Sequence, residues 1–143
     1  MRRKDREITD IEEIRDIIEK CKVCRLAMQD EEGLYLVPLN FGYEFEEESL
    51  ALYFHSAKEG RKLRAIQKNL KVCFEMDCEH ALIEANTPCA YGYEYACVMG
   101  NGKATILEHT EEKRLALSKL MWHQTGNCLL YTSDAADDLT RVD

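Results

Sequence analysis

The spacing of apolar residues divides this chain into short elements, most of them strands. Ile11, Ile14, Ile17, Ile18 and Cys21 fall on one helical face, behind a cap at Thr9 or Asp10 with Glu12 or Glu13 to complete a capping box. Residues 23–29 read as a strand, Asp30-Glu-Glu-Gly33 as a hairpin turn, and residues 34–41 as the returning strand. Pro38 lacks a ladder N–H, so it belongs at an edge, a bulge or a ligand site. The acidic run 44–49 reads as a loop. Leu50, Leu52 and Phe54 then alternate with Ala51, Tyr53 and His55 in a third strand. A helix carrying Leu63 and Ile66 follows, ends near Asn69, and gives way to a fourth strand over 70–76. Alternation fails from 77 to 91, which predicts a loop with a helical turn around His80–Ile83. A long β pattern over 93–108 is interrupted by Gly100-Asn101-Gly102, which predicts a bulge or bend at a barrel corner. Thr110 caps a last helix with Leu117, Leu120 and Met121 on its apolar face and Gly126 at its end. Some six short strands and a few helices predict a mainly β (α+β) fold, a small closed or half-closed barrel.

One junction in this pattern runs against local rules. Ser56 stands between the third strand and the helix after it, where its hydroxyl can accept from a backbone N–H of the first turn. Lys58, Arg61 and Lys62 follow at i, i+3 and i+4, which places them on one face of that turn. A helix N-terminus carries partial positive charge and disfavours cations, so three of them there suit a site that receives an anion. Free N–H groups with converging Lys and Arg form a phosphate receptor. A solvated basic face with Glu59 nearby is the plainer alternative.

Composition narrows the function classes. The 143 residues and 16.6 kDa suit one domain with a real core. A net charge of −8 argues against general nucleic-acid or anionic-membrane binding. No long apolar run suggests a transmembrane helix, and the charged N-terminus has no apolar segment behind it to make a secretory signal. Seven cysteines, an odd number at scattered spacing, point to reduced thiols in a cytoplasm.

The stretch Leu-Tyr-Phe-His-Ser-Ala-Lys-Glu-Gly-Arg-Lys at 52–62, preceded by Val-Pro-Leu-Asn-Phe-Gly-Tyr-Glu at 37–44, resembles the flavin-binding split barrels of the pyridoxamine 5'-phosphate oxidase superfamily. It is most similar to the nitroimidazole-reductase-like (5-nitroimidazole resistance) branch. The resemblance begins near Arg2 and runs to Gly126. It implies an FMN-binding split β-barrel with flanking helices, in a homodimer that builds its flavin sites between subunits. The residues it places at the FMN are Val37, Pro38, Leu39 and Asn40 of the first motif, then Phe54, His55, Ser56, Lys58, Arg61 and Lys62 of the second. Lys58, Arg61 and Lys62 would hold the phosphate. His123, in Met-Trp-His-Gln-Thr-Gly, belongs to a segment that in the family approaches the flavin from the partner subunit. Where the family has a basic residue and a serine, this chain has Ala96 and Cys97, so polar contacts from that strand are in doubt.

His55 is the candidate catalytic residue, because a histidine beside the cofactor can donate a proton to a reduced substrate anion. Its alternative is a structural strand histidine, and that of His123 is a helix C-terminal residue stabilised by the dipole. Tyr91, Tyr93 and Tyr95 alternate on one face and could contribute to a ligand wall. The expected reaction moves electrons or hydride from reduced FMN to a small aromatic acceptor such as a nitroimidazole or quinone. NAD(P)H is the possible donor, visiting only transiently, because no Gly-x-Gly-x-x-Gly fingerprint is present. A true pyridoxamine phosphate oxidase would need a second basic cluster, which the sequence lacks. Two other classes compete: a non-catalytic flavin- or haem-binding barrel, and a zinc-stabilised interaction module. The second would use Cys21 and Cys24 with Cys73, Cys78, His80 and Cys89, a weak spacing for zinc.

The last segment, 128–143, does not continue the family pattern and looks like a translated sequencing-adapter tail. It is expected to contribute no strand, which leaves residues 1–127 as the flavin-binding domain and the barrel short of its C-terminal strand.

Overall fold

A computed structural model describes residues 3–47, 49–127 and 138–143. Six antiparallel strands close into a ring, in the order β1 (Val23–Asp30), β2 (Gly33–Glu46), β3 (Ser49–Ser56), β6 (Asp138–Val142), β5 (Gly92–Leu107) and β4 (Lys71–Ile83). Three helices attach to it: α1 (Ile11–Lys20), α2 (Arg61–Lys68) and α3 (Thr110–Thr125). The barrel is split because two long strands each serve two sheets. Residues 33–40 of β2 pair with β1, and residues 41–46 pair with β3. In the same way β5 pairs with β4 up to Lys103 and with β6 from Ala104 onward. Pro38 therefore lies where β2 is paired on one side only, opposite Arg25, and its missing N–H breaks no ladder bond on the open side.

The interior follows the alternation. Cys24, Leu26 and Met28 of β1, Leu52 and Phe54 of β3, and Val72, Phe74 and Met76 of β4 are buried together with Ile17, Ile18 and Cys21 of α1. Asp10 caps α1 by accepting from the Glu12 N–H at 3.0 Å. A second, smaller cluster lies outside the ring, where α3 covers Ala51, Tyr53, Leu107 and Leu139 with Ala116. That is why β3 is buried on both faces from Ala51 to Phe54. Helix α3 approaches β2 closely: a Cβ on Gly42 would lie 2.2 Å from the Leu120 backbone nitrogen.

Several expectations are corrected. The acidic run 44–49 is mostly strand, with the turn at Glu47 (φ 52°). β4 continues through His80 to Ile83, so 77–83 is neither loop nor helix; a register shift at Cys78/Ala81 had hidden the alternation. No register shift occurs at Gly100-Asn101-Gly102. Those glycines give room instead: a Cβ at Gly100 would meet the Phe74 ring at 2.8 Å, and one at Gly102 would meet the Asp143 carbonyl at 2.5 Å. The largest correction concerns the C-terminus. Asp138–Val142 is a full barrel strand between β3 and β5, with Leu139, Thr140 and Val142 buried. The barrel is therefore not short of its C-terminal strand. β6 was overlooked because it has only five residues behind an aspartate-rich run, and both its faces are buried, so it shows no clean apolar–polar alternation.

Candidate functional site

The strand-to-helix junction lies at the end of β3. Ser56 is the last residue of β3, and α2 begins only at Arg61. The N-cap is Gly60 (φ 151°), a backbone that favours glycine, and it supplies no side-chain cap. The expectation that Ser56 caps the helix, and that Lys58, Arg61 and Lys62 share its first turn, is corrected accordingly. Lys58 is exposed in the loop before the helix, and only Arg61 and Lys62 are helical. Glycine in the loop delays helix nucleation past the residues that a spacing count would include.

The two helical cations have different surroundings. The Arg61 guanidinium grips Asp30 with both ends of its fork, Nε to Oδ2 at 2.7 Å and Nη2 to Oδ1 at 2.9 Å. It also lies over the Tyr35 ring at 4.7 Å, and Asp30 and Tyr35 both belong to the β1–β2 hairpin. The hairpin therefore fixes the start of α2, which the sequence reading did not find. The Asp-Glu-Glu-Gly turn carried a signal for it, since a hairpin carboxylate needs a cation when half-buried. The Arg61 guanidinium and the Glu32 N–H hold the Asp30 carboxyl below the usual carboxylate range. Lys62, in contrast, is only 8% exposed, and among the described residues no carboxylate or hydrogen-bond acceptor pairs with it. Burial alone pushes its pKa down to about 8. A lysine whose stem is buried beside the free N–H groups of a helix start is suited to an anion with several oxygens.

The other candidates are spread over neighbouring elements. Val37 and Leu39 turn inward against the core, while Pro38 and Asn40 face outward. Asn40 Nδ2 donates to the Lys22 carbonyl at 3.0 Å and to Gln124 Oε1 at 3.1 Å, which ties β2 to the end of α3. Phe54 is fully buried, so only its backbone can meet a ligand. His55 is exposed on β3 opposite Leu139.

His123 is 3% exposed and donates from Nε2 to the Cys21 carbonyl at 2.7 Å. A carbonyl only accepts, so the proton is on Nε2 in the neutral ring. Nδ1 lies 3.5 Å from Glu19 Oε2 without a hydrogen bond. Burial lowers the His123 pKa and keeps the ring neutral near pH 7. Its ring packs on Phe41 and edge-on to Tyr43, with centroids at 4.7 and 5.1 Å. The helix C-terminal dipole reading is replaced by this buried anchor. A depression of about 280 Å³ opens beside it, lined by Arg15, Tyr43, Lys119 and Trp122. Another of about 480 Å³ lies between Tyr53, Leu107, Glu112 and Arg141. Neither includes the Ser56–Lys62 turn.

Tyr93 and Tyr95 project outward from β5, 56% and 62% exposed. Cys21 ends α1 and Cys24 is enclosed in β1, and among the described residues no group of three or more His, Cys, Asp or Glu could hold a metal ion. Among the described residues no helix is long and apolar enough to cross a membrane.

With this geometry in place, comparison with known proteins assigns the family. The profile of the family described as Pyridoxamine 5'-phosphate oxidase matches residues 10–141. The chain belongs to that family. The match extends into β6, in keeping with a sixth strand that completes the ring. The chain is similar to a proposed 5-nitroimidazole antibiotic resistance protein of Bacteroides thetaiotaomicron, with 35% identity and a TM-score of 0.80 over 94% of this chain and 80% of that one. It shares its fold with a FAD- and heme-binding protein of Mycobacterium smegmatis (16% identity, TM-score 0.79, 95% of this chain and 66% of that chain). A FAD-binding protein of the same organism also shares it (18% identity, TM-score 0.64, 96% and 90% of the two chains). No curated protein matches the chain.

Proposed function

We propose that this member of the pyridoxamine 5'-phosphate oxidase family binds FMN and passes electrons or hydride from the reduced flavin to a small aromatic acceptor such as a nitroimidazole or quinone. The observation that carries the reading is Lys62: a largely buried lysine, without a partner among the described residues, at the start of a helix whose cap offers no side chain. A phosphate there would return the charge that burial disfavours and accept the first-turn N–H groups as well. Lys58, in the loop, and Ser56, at the strand end, belong to the same strand-to-helix connection. Arg61 joins only if its fork turns from Asp30. The resistance-protein relative supports a nitro-aromatic acceptor. When bound, FMN supplies the two-electron chemistry; the chain binds, orients and excludes water. His55, exposed beside the turn, is the group that would hold a proton for the reduced acceptor.

We also propose that the chain works as a homodimer with C2 symmetry. The outer face of β2, β1, β4 and β5 supports this, since Leu34 (86% exposed), Leu36 and Met99 sit on it. Light scattering at twice 16.6 kDa is expected.

The deciding experiment is an absorption spectrum of purified protein reconstituted with FMN, followed by steady-state reduction of a nitroimidazole or quinone with NAD(P)H. Retained flavin absorbance and turnover are expected. Failure to retain flavin refutes the cofactor assignment. Retained flavin without turnover on either acceptor class would leave a flavin-binding barrel and refute the oxidoreductase reading.

A further inference from the structure

Cys21 closes the C-terminal end of α1, and Cys78 lies on β4 at the register shift. Three contacts draw these positions together. The Cys21 N–H and the Cys78 thiol both donate to the Ile17 carbonyl, at 3.1 and 3.9 Å. Their chain neighbours Lys20 and Glu79 form an ion pair at 2.6 Å. The Cys78 thiol therefore reaches the same last turn of α1 from which Cys21 leaves the helix. Cys24, the other half of the sequence pair, instead points into the barrel from β1. Glu79, next to Cys78, takes φ 58°, so the bulge turns this part of β4 toward the end of α1.

We propose that Cys21 and Cys78 form a reversible dithiol–disulfide site that fastens α1 to β4. The oxidant is a low-molecular-weight disulfide. Cys78 is half-buried and meets it first. The Cys78 thiolate attacks one sulfur of the small disulfide, and one small thiolate leaves. The Cys21 thiolate then attacks the Cys78 sulfur of the mixed disulfide and expels the second small thiolate. In sum, two protein thiols are oxidised, one small disulfide is reduced to two thiols, and the two protein protons pass to the leaving groups. Cys21 is 2% exposed, and burial, reinforced by Cys78, pushes its pKa up to about 12. It is a poor first nucleophile and acts only as the resolving partner at short range. The bridge would close a loop from 21 to 78, a separation of 78 − 21 = 57 residues, which restricts the unfolded chain. It would also fix the Cys21 carbonyl that accepts the His123 proton, and with it the seat of α3.

The test uses the full chain, oxidised with excess glutathione disulfide, denatured, alkylated with N-ethylmaleimide and weighed by intact mass spectrometry. Two of the seven cysteines are expected to escape alkylation, and dithiothreitol should restore all seven. Peptide mapping should give a Cys21–Cys78 cross-link. The oxidised protein should melt at a higher temperature than the reduced one. Cys78→Ser is expected to abolish both the protected pair and the thermal shift, with Cys78→Ala as a second variant should the serine fold poorly. Cys89→Ser, at an exposed position, should keep both. Full alkylation of oxidised wild type would overturn the proposal. So would a bridge mapped to any other pair, or a protected pair that survives in Cys78→Ser and Cys78→Ala.

Discussion

Arg61 and Asp30 are joined by two hydrogen bonds of 2.7 and 2.9 Å, so the arginine nearest the proposed phosphate site already has a carboxylate in its fork. Asp30 and an FMN phosphate would compete for the same planar donors. Asp30→Asn keeps an oxygen for the Glu32 N–H, which now bonds Oδ1 at 2.9 Å, but removes the charge. We expect Asp30→Asn to tighten FMN binding severalfold, and Arg61→Ala to weaken it by about tenfold or more, the scale of a charge-assisted contact. Flavin fluorescence titration checks this, with riboflavin as the phosphate-free control. Equal changes for FMN and riboflavin would mean that Arg61 only holds the hairpin.

Lys62 gives a pH signature. In the unfolded chain the group keeps its proton up to 10.5, whereas in the folded chain it releases it near 8. Between those values the unfolded state binds more protons, so stability rises with pH across that window. Below pH 8 both states are protonated and the cost of the buried charge is present in full. In urea unfolding, wild type should gain about 1–3 kcal/mol relative to Lys62→Met between pH 8 and 10.5. Saturating FMN should flatten that difference, because a phosphate raises the Lys62 pKa again. Parallel pH profiles for the two proteins would remove the basis for the phosphate site.

The last strand supplies a stability test. Removing Asp138–Asp143 uncovers the ladder edges of β3 and β5 and deletes Leu139 and Val142 from two apolar clusters. The Lys103–Asp143 backbone pair, at 2.8 and 3.1 Å, goes with them. The truncated chain should lose about 3–6 kcal/mol and tend to aggregate through its open edges. Chemical denaturation and light scattering measure both effects. A deletion that costs under about 0.5 kcal/mol, the scale of a neutral surface change, would show that β6 carries none of the ring.

Much of the barrel was legible along the chain. Ile17 and Ile18 on α1, with Cys21 at its C-cap, declared their element through period, because the buried side is set by local geometry; the third strand was legible as an apolar run, although both its faces prove buried. The anomalous charge at the turn was legible too, since cations at a helix start oppose the dipole wherever the helix lies. What each cation does was decided only in three dimensions. Asp30 and Arg61 are separated by a hairpin and a strand, and whether they meet depends on how β1–β2 folds over α2. The approach of Cys78 to the end of α1, where Cys21 sits, accompanies a bulge that no short-range pattern records. β6 is the clearest case. Its five residues are too few to declare a strand by alternation, and they become one because β3 and β5 present unpaired N–H and C=O groups on both sides of one opening. The sequence by itself determined which residues avoid water and where charge is anomalous; the tertiary structure decided which distant groups satisfy one another, because hydrogen bonds and ion pairs depend on separation in space and not along the chain.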